Sequence, residues 1–330
     1  MRAPDFWTRK DFVSQAVVSL LTPFGWLYGA SVAYRARHSH PYQAACKVLC
    51  VGNLTAGGTG KTPIAIAIAK ALIARGARPV FLTRGYGGRV RGTAFVTADD
   101  RATHVGDEPL LLAAVAPVIV SADRAAGARL AEENGFDTIV MDDGLQNFSL
   151  DKDLSVVVVD AEDGFGNRRI LPAGPLREPV AQGLKRVQAV IVSGDGAAPA
   201  LPGFGGPVLR TKLIQRGEVL GAGQRVIAFA GIGRPAKFFA TLAAMGVEVV
   251  DQRAYGDHHI YTQSEMARLK ARARSENALL VTTEKDFVRL TPAEREGIVA
   301  LPVEAVFEDA SALALLLDRL TQRRVPPKAS

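Results

Sequence analysis

The chain predicts an α/β fold: a P-loop NTPase-like parallel-sheet domain, a second and smaller α/β domain, and an N-terminal helical segment that associates with a membrane. Three observations carry that prediction. Short β-branched runs alternate with helix-length segments after Lys47, the pattern of parallel strands joined by crossover helices. The stretch VGNLTAGGTGKTP, Val51 to Pro63, ends in the Gly-Lys-Thr order of a phosphate-binding loop. From Phe12 to Tyr34 there is no charged side chain.

A chain of 330 residues suits two compact domains, and 48% apolar with 22% charged residues is a globular composition. The excess of 40 Lys+Arg over 33 Asp+Glu, a formal +7, favours an anionic partner such as a lipid surface or a phosphorylated substrate. No dense basic run points to nucleic acid, and no obligate protein partner is evident. Cys46 and Cys50 are the only cysteines, too few for a metal cage and best understood as small apolar fillers in a reducing compartment.

The first expected unit covers residues 1–45. Its apolar segment is flanked by Arg9 and Lys10 on one side and Arg35 and Arg37 on the other, and is long enough to span a bilayer. Ser14, Gln15, Ser19 and Thr22, with Pro23 and Gly25 interrupting the middle, argue against a crossing. Trp26 and Tyr28 suit the headgroup level. The expectation is a helix lying in the interface with its basic flanks on anionic lipid. The alternative is a helical hairpin packed on the protein's own core.

The second unit, 46–205, is the expected P-loop domain. Strands are predicted at Val48 to Gly52, Pro79 to Thr83, Val118 to Ser121, Thr138 to Met141, Ser155 to Asp160 and Ala189 to Ser193. Helices are predicted at Lys61 to Arg75, Glu108 to Ala114 and Asp123 to Asn134. The glycine- and proline-rich stretch Gly194 to Pro207 is the linker candidate. Beyond it a second α/β domain, 206–325, is expected from Val226 to Ile232, a helix after Pro235, Val247 to Asp251, a helix from Gln263 and Ala278 to Thr283. The chain end, 326–330, is expected to be disordered.

The loops carry the chemistry. Thr55 stands where the P-loop pattern wants its first glycine, but Thr55, Ala56, Gly57, Gly58, Thr59 and Gly60 still offer a run of backbone amides ahead of a helix. Lys61 supplies charge for the outer phosphates and Thr62 a hydroxyl for a metal. Asp142 and Asp143 follow an apolar strand, at the mouth where ligands bind in open α/β sheets, and either could serve the metal. Asp160 is a competing acid. RGYGG (Arg84 to Gly88), GDEP (Gly106 to Pro109), SADR ending in Arg124, GPLREP with Arg177 and Glu178, and DHH (Asp257 to His259) complete the set. Helix capping is the plain alternative for Asp107 and Glu108, and packing for His258 and His259. TTEKD, Thr282 to Asp286, echoes the guanine-reading NKxD loop of GTPases, but Glu284 replaces its asparagine. A nucleotide-dependent switch or ATPase is thus the rival function.

These motifs, VGNLTAGGTGKTP, RGYGG, GDEP, SADR, DDGLQN, AGPLREP, DHH and TTEKD in that order, resemble the tetraacyldisaccharide 4′-kinase family, the lipid A kinases of Gram-negative bacteria. The resemblance covers nearly the whole chain. It implies transfer of the ATP γ-phosphate, with Mg²⁺, to the 4′-hydroxyl of a tetraacylated, 1-phosphorylated glucosamine disaccharide at the cytoplasmic face of the inner membrane. It implies Asp107 as catalytic base paired with His258. Thr62, Glu108, Asp142 and Asp143 become metal-side groups, while Arg84, Arg124, Gln146, Arg177 and Glu178 become substrate or transition-state groups. Leu145 and Asn147 depart from the family pattern, which more often has an aromatic and a histidine there.

Overall fold

The structure, a computed structural model, describes residues 4–217 and 219–321. The expected disordered tail lies outside the described residues. In chain order the strands are β1 (Lys47–Gly52), β2 (Pro79–Thr83), β3 (Thr93–Phe95), β4 (Val118–Ser121), β5 (Thr138–Asp142), β6 (Leu154–Asp160), β7 (Ala189–Ser193) and β8 (Val208–Gln215). They continue as β9 (Arg225–Ala230), β10 (Glu248–Ala254), β11 (Leu279–Thr283), β12 (Ile298–Leu301) and β13 (Val303–Phe307).

Among the described residues these strands build two sheets. The larger has nine strands in the order β13-β8-β7-β6-β1-β5-β2-β4-β3, and the smaller four in the order β10-β9-β11-β12. The large sheet is parallel except at its edges, where β3 and β13 pair antiparallel with β4 and β8. Continuous apolar runs such as KVLCVG form its centre because both faces are covered, so no polar alternation is required. Leu49 and Val51 face the helices Lys61–Ala74 and Ala310–Thr321, through Ile64, Ile68, Leu313 and Leu317. Val48 and Cys50 face the other layer, with Ala128 of the helix Arg124–Glu133 and with Leu145 and Leu184. Both cysteines are buried free thiols, and burial pushes Cys46 up to about 12 and Cys50 up to about 11, as expected of inert fillers.

The small sheet is covered on one face by Phe238 and Leu242 of the helix Pro235–Ala244, and on the other by Met266 and Leu269 of the helix Gln263–Ser275. The division expected after residue 205 does not follow sheet membership. β8 lies beyond Pro207 yet pairs with β7, Val190 opposite Val208. After β12 the chain returns, β13 closes the large sheet and Ala310–Thr321 packs on its core. The glycine- and proline-rich stretch is therefore a surface connection between neighbouring strands. The smaller sheet is an insertion between β8 and β13, and the two crossings are tied together where the Arg216 N–H donates to the Pro302 carbonyl at 3.0 Å.

Pro23 and Gly25 do not interrupt the N-terminal segment, which is one helix, Phe12–His38. Asp11 caps it by accepting from the Ser14 amide at 3.0 Å, and Arg35, Arg37 and His38 suit the negative end of its dipole. The helical hairpin is ruled out. Only Ser14, Gly25, Gly29 and Val32 are buried in this helix. The two glycines let it dock on one loop, because a Cβ at Gly25 would meet the Ile170 carbonyl oxygen at 2.9 Å and one at Gly29 the Ile170 Cδ1 at 2.9 Å. Trp7 Nε1 donates to the Pro172 carbonyl at 3.0 Å beside that contact. Phe12, Val13, Leu20, Phe24, Trp26, Leu27 and Tyr34 remain exposed.

Candidate active site

β1 and β5 are neighbours, so the loops leaving their carboxyl ends meet. The first is the glycine-rich loop. Thr55 is buried and bridged antiparallel to Leu176, with the Ala56 amide donating to the Pro175 carbonyl at 2.7 Å. The loop thus begins as an extended segment that any residue can occupy, which explains why a threonine replaces the glycine. The left-handed backbone comes later, at Gly57 (φ 117°) and Gly60 (φ 76°), the latter being the N-cap of Lys61–Ala74. A Cβ on Gly57 or Gly58 would meet nothing within 4 Å, so the concave side of the loop is open. Thr59 is buried and accepts from Asn53 Nδ2 at 3.2 Å, fixing the loop from beneath.

The second loop carries the acids. Asp142 ends β5 and accepts from Thr62 Oγ1 at 2.9 Å through Oδ2, while its Oδ1 is buried without a hydrogen-bond partner among the described residues. Burial, with the adjacent Asp143 charge, pushes its carboxyl up to about 6 despite the nearby Lys61. A hard cation with oxygen ligands fits that orphaned carboxylate oxygen and the Thr62 hydroxyl beside it. Asp143, at φ 58°, turns away and meets Lys61 Nζ at 3.7 Å and Arg177 at 2.9 and 3.1 Å. Burial opposes its ionisation, but the Lys61 and Arg177 charges prevail and hold it down at about 2. Gln146 accepts from Arg177 at 3.3 Å and donates to Glu178 at 3.0 Å, and Glu178 is clamped by Arg186 at 2.6 Å. Arg124 is buried, donates to the Ser121 carbonyl, and is pushed down to about 10 by burial. Arg84 is exposed just beyond the carboxyl end of β2.

The third group bridges the two sheets. Asp107 and Glu108 open the short helix Asp107–Ala113, whose Leu112 shares a core with Ile64 of the P-loop helix. Asp107 Oδ2 lies 3.1 Å from His258 Nδ1, and receives Arg289 Nε at 2.9 Å. Lys285 Nζ reaches Glu108 at 2.6 Å. Burial alone would raise the Asp107 carboxyl, but the His258 hydrogen bond, the contact with Glu108 and the Lys285 and Arg289 charges hold it well below the usual carboxylate range. Glu108 moves the other way, up to about 7, through burial and its proximity to Asp107. Ligand atoms of Asp107, Glu108 and His258 lie within 4.8 Å of one another, but basic side chains already neutralise the two acids, so this is an ion-pair cluster. His259 instead meets Glu265 at 3.2 Å and stacks on Tyr255.

Against known proteins, the family model "LpxK: Tetraacyldisaccharide-1-P 4'-kinase" matches residues 17–322. The chain belongs to the tetraacyldisaccharide 4′-kinase family. It is 47% identical over 330 residues to the tetraacyldisaccharide 4′-kinase of Paramagnetospirillum magneticum, covering 98% of this chain and 100% of that one. To the corresponding kinase of Methylobacterium radiotolerans it is 49% identical over 319 residues, covering 95% and 97%. Among solved structures it is similar to LpxK from Aquifex aeolicus, described as an "apo" form in complex with ATP, with a TM-score of 0.77 and 27% identity over 92% of this chain and 99% of that one.

Membership in this kinase family gives the remaining contacts their context. TTEKD is no base-reading loop, since Glu284 accepts from the Val303 amide at 3.1 Å and Asp286 is buried. Asp160, the competing metal acid, is paired with Arg234 at 2.8 Å and Lys237 at 3.1 Å, and Arg234 also donates to the Gly58 carbonyl at 2.9 Å. Sequence reasoning missed Arg186, Arg234 and Arg289, basic side chains outside the motifs, and gave no role to Lys285, which lies inside TTEKD. A signal existed for Lys285 and Arg289, because both follow the carboxyl end of β11.

Proposed function

We propose that this member of the lipid A kinase family transfers the γ-phosphate of ATP to the 4′-hydroxyl of a tetraacyldisaccharide 1-phosphate, giving the 4′-phosphorylated lipid A precursor. The observation that carries the proposal is the pairing of Asp107, on the short helix packed beside the P-loop helix, with His258 from the connection after β10 of the smaller sheet, at 3.1 Å. Phosphoryl transfer asks mainly for alignment and charge neutralisation. The amides of Gly57 to Gly60 and Lys61 would hold the outer phosphates, and the helix Lys61–Ala74 presents its positive end to them. Thr62 and Asp142 would hold Mg²⁺, which supplies positive charge to the phosphate oxygens. Asp107 accepts the proton of the sugar hydroxyl as the new bond forms, and His258 orients it. Arg177, and Arg124 from beneath, add positive potential around Asp143.

The acceptor is a lipid, so the chain must work at a bilayer surface. The helix Phe12–His38, with its exposed aromatic and aliphatic side chains and basic ends, suits the anionic cytoplasmic face of the inner membrane. Mass spectrometry of the disaccharide lipid after incubation with protein, ATP and Mg²⁺ tests the reading. One added phosphate on the distal sugar is expected. Phosphate release from ATP without a modified lipid would favour an ATPase instead.

A further inference from the structure

The segment TTEKDFVR, Thr282 to Arg289, is left over once guanine reading is excluded, and its side chains run in a chain to Asp107. We propose that Arg289 is a positioning residue for phosphoryl transfer, fixed by a buried Asp286 platform so that it fastens one oxygen of Asp107 and leaves the other for the acceptor hydroxyl. The inference rests on the reading of Asp107 as proton acceptor.

The platform is built from the bottom of the small sheet upward. Asp286 is fully buried, and its Oδ1 accepts from the Gly231 amide at 2.9 Å, from Tyr261 Oη at 2.8 Å and from Arg289 Nη1 at 2.8 Å. Its Oδ2 accepts from Thr283 Oγ1 at 2.7 Å. A buried carboxylate with this many donors has one orientation, since losing any of them leaves charge unsatisfied. Arg289 Nη1 also donates to the Gly231 carbonyl at 2.7 Å, and the same carbonyl accepts from the His258 amide at 3.0 Å. One peptide group therefore registers both partners of Asp107. The planar guanidinium, held along one side, presents Nε and Nη2 to Asp107 Oδ2.

The consequence for Asp107 is asymmetric. Oδ2 takes Arg289, His258 and, at 3.9 Å, Lys285. Oδ1 takes the Glu108 backbone amide at 3.1 Å and, among the described residues, no side chain of the smaller domain. All of the Oδ2 partners come from the segments that follow the carboxyl ends of β10 and β11, so the orientation of the acceptor exists only while the smaller domain is seated against the P-loop domain.

Steady-state kinetics of the full-length protein with ATP and the disaccharide lipid test this. Arg289→Ala is expected to lower kcat about 10- to 100-fold, the scale of a misplaced reacting group, with KM for ATP within about twofold of wild type. Added guanidinium should restore part of the lost kcat, and Arg289→Lys should fall between, because one ammonium cannot span Asp107, Asp286 and the Gly231 carbonyl. If Arg289→Ala does not fold, Arg289→Lys decides by the same split. A kcat within twofold of wild type in the folded variant, or a raised ATP KM at unchanged kcat, would overturn the proposal. Asp107→Ala separates the two readings: near-normal turnover there removes the proton acceptor itself, whereas an inactive Asp107→Ala beside a fully active Arg289→Ala sinks only the positioning role.

Discussion

Thr62 Oγ1 donates to Asp142 Oδ2 at 2.9 Å, and the other oxygen of that carboxylate is buried with no donor among the described residues. An anion in that position is unfavourable until a cation arrives. Because the folded carboxyl is raised to about 6 from an ordinary 3.8, the folded chain binds more protons than the unfolded one between those values, and the stability this group contributes is lost as pH rises through about 6. Asp142→Asn should therefore stabilise the nucleotide-free protein at pH 8 by about 1–3 kcal/mol, with the gain gone near pH 4, while turnover falls at least about 100-fold. Thermal melts across that range check it; equal melting of both proteins at pH 8 would contradict it.

Asp107→Asn keeps the shape of the side chain but cannot take up a proton in the same way. Turnover at saturating ATP should fall by about 10²–10⁴, and His258→Ala by about tenfold, both with nucleotide affinity retained. Near-normal rates in both variants would remove the pair from the mechanism.

Arg234 joins three partners, the Asp160 and Asp163 carboxylates at 2.8 and 2.7 Å and the Gly58 carbonyl at 2.9 Å. Burial opposes ionisation of Asp160, but Arg234 prevails and holds it down at about 2, so the stabilisation is present above the ordinary 3.8 and lost as pH falls through about 2. Arg234→Ala should lose about 1–2 kcal/mol at neutral pH and shrink that acid-dependent loss. It should also raise KM for ATP several-fold, since a carbonyl of the nucleotide loop loses its tether. Melts at pH 7 and pH 3, with ATP titrations, give the answer.

At the loop itself the positions are unequal. Gly57→Ala forces an L-residue to φ 117° and should weaken ATP binding by about tenfold, through strain of about 1–2 kcal/mol. Thr55→Gly restores the motif's letter but loses a buried, strand-paired side chain. No gain in affinity is expected from it; isothermal titration with ATP compares the two.

Much of this site was legible before the fold. Gly60, Lys61 and Thr62 are local in sequence, and Asp142 follows an apolar run that could only be a buried strand. The partners of Asp107 were not legible in the same way. Arg289 lies 182 residues away from it, and its place after the carboxyl end of β11 does not by itself name Asp107 as its partner. The domain boundary was misplaced for a related reason: β13 is the edge strand and β8, its neighbour, is largely exposed, so their membership in the large sheet depends on a pairing partner far along the chain. Pro23 misled because a proline is a local signal, whereas the docking of Gly25 and Gly29 on Ile170 is set by residues far along the chain.

Deleting Met1 to Ser39 removes the exposed apolar helix together with its basic flanks. Sedimentation with anionic vesicles should drop to the level of a soluble control, with ATP binding retained. Undiminished sedimentation would assign membrane contact to another surface.

The hydrogen bond from Arg216 to Pro302 sets a mechanical limit. A lobe tethered by two crossings that are fastened side by side resists sliding more than rotation about the line of that fastening. His258, Lys285 and Arg289 all belong to that lobe, so a rotation about this line would take the three partners of Asp107 away together.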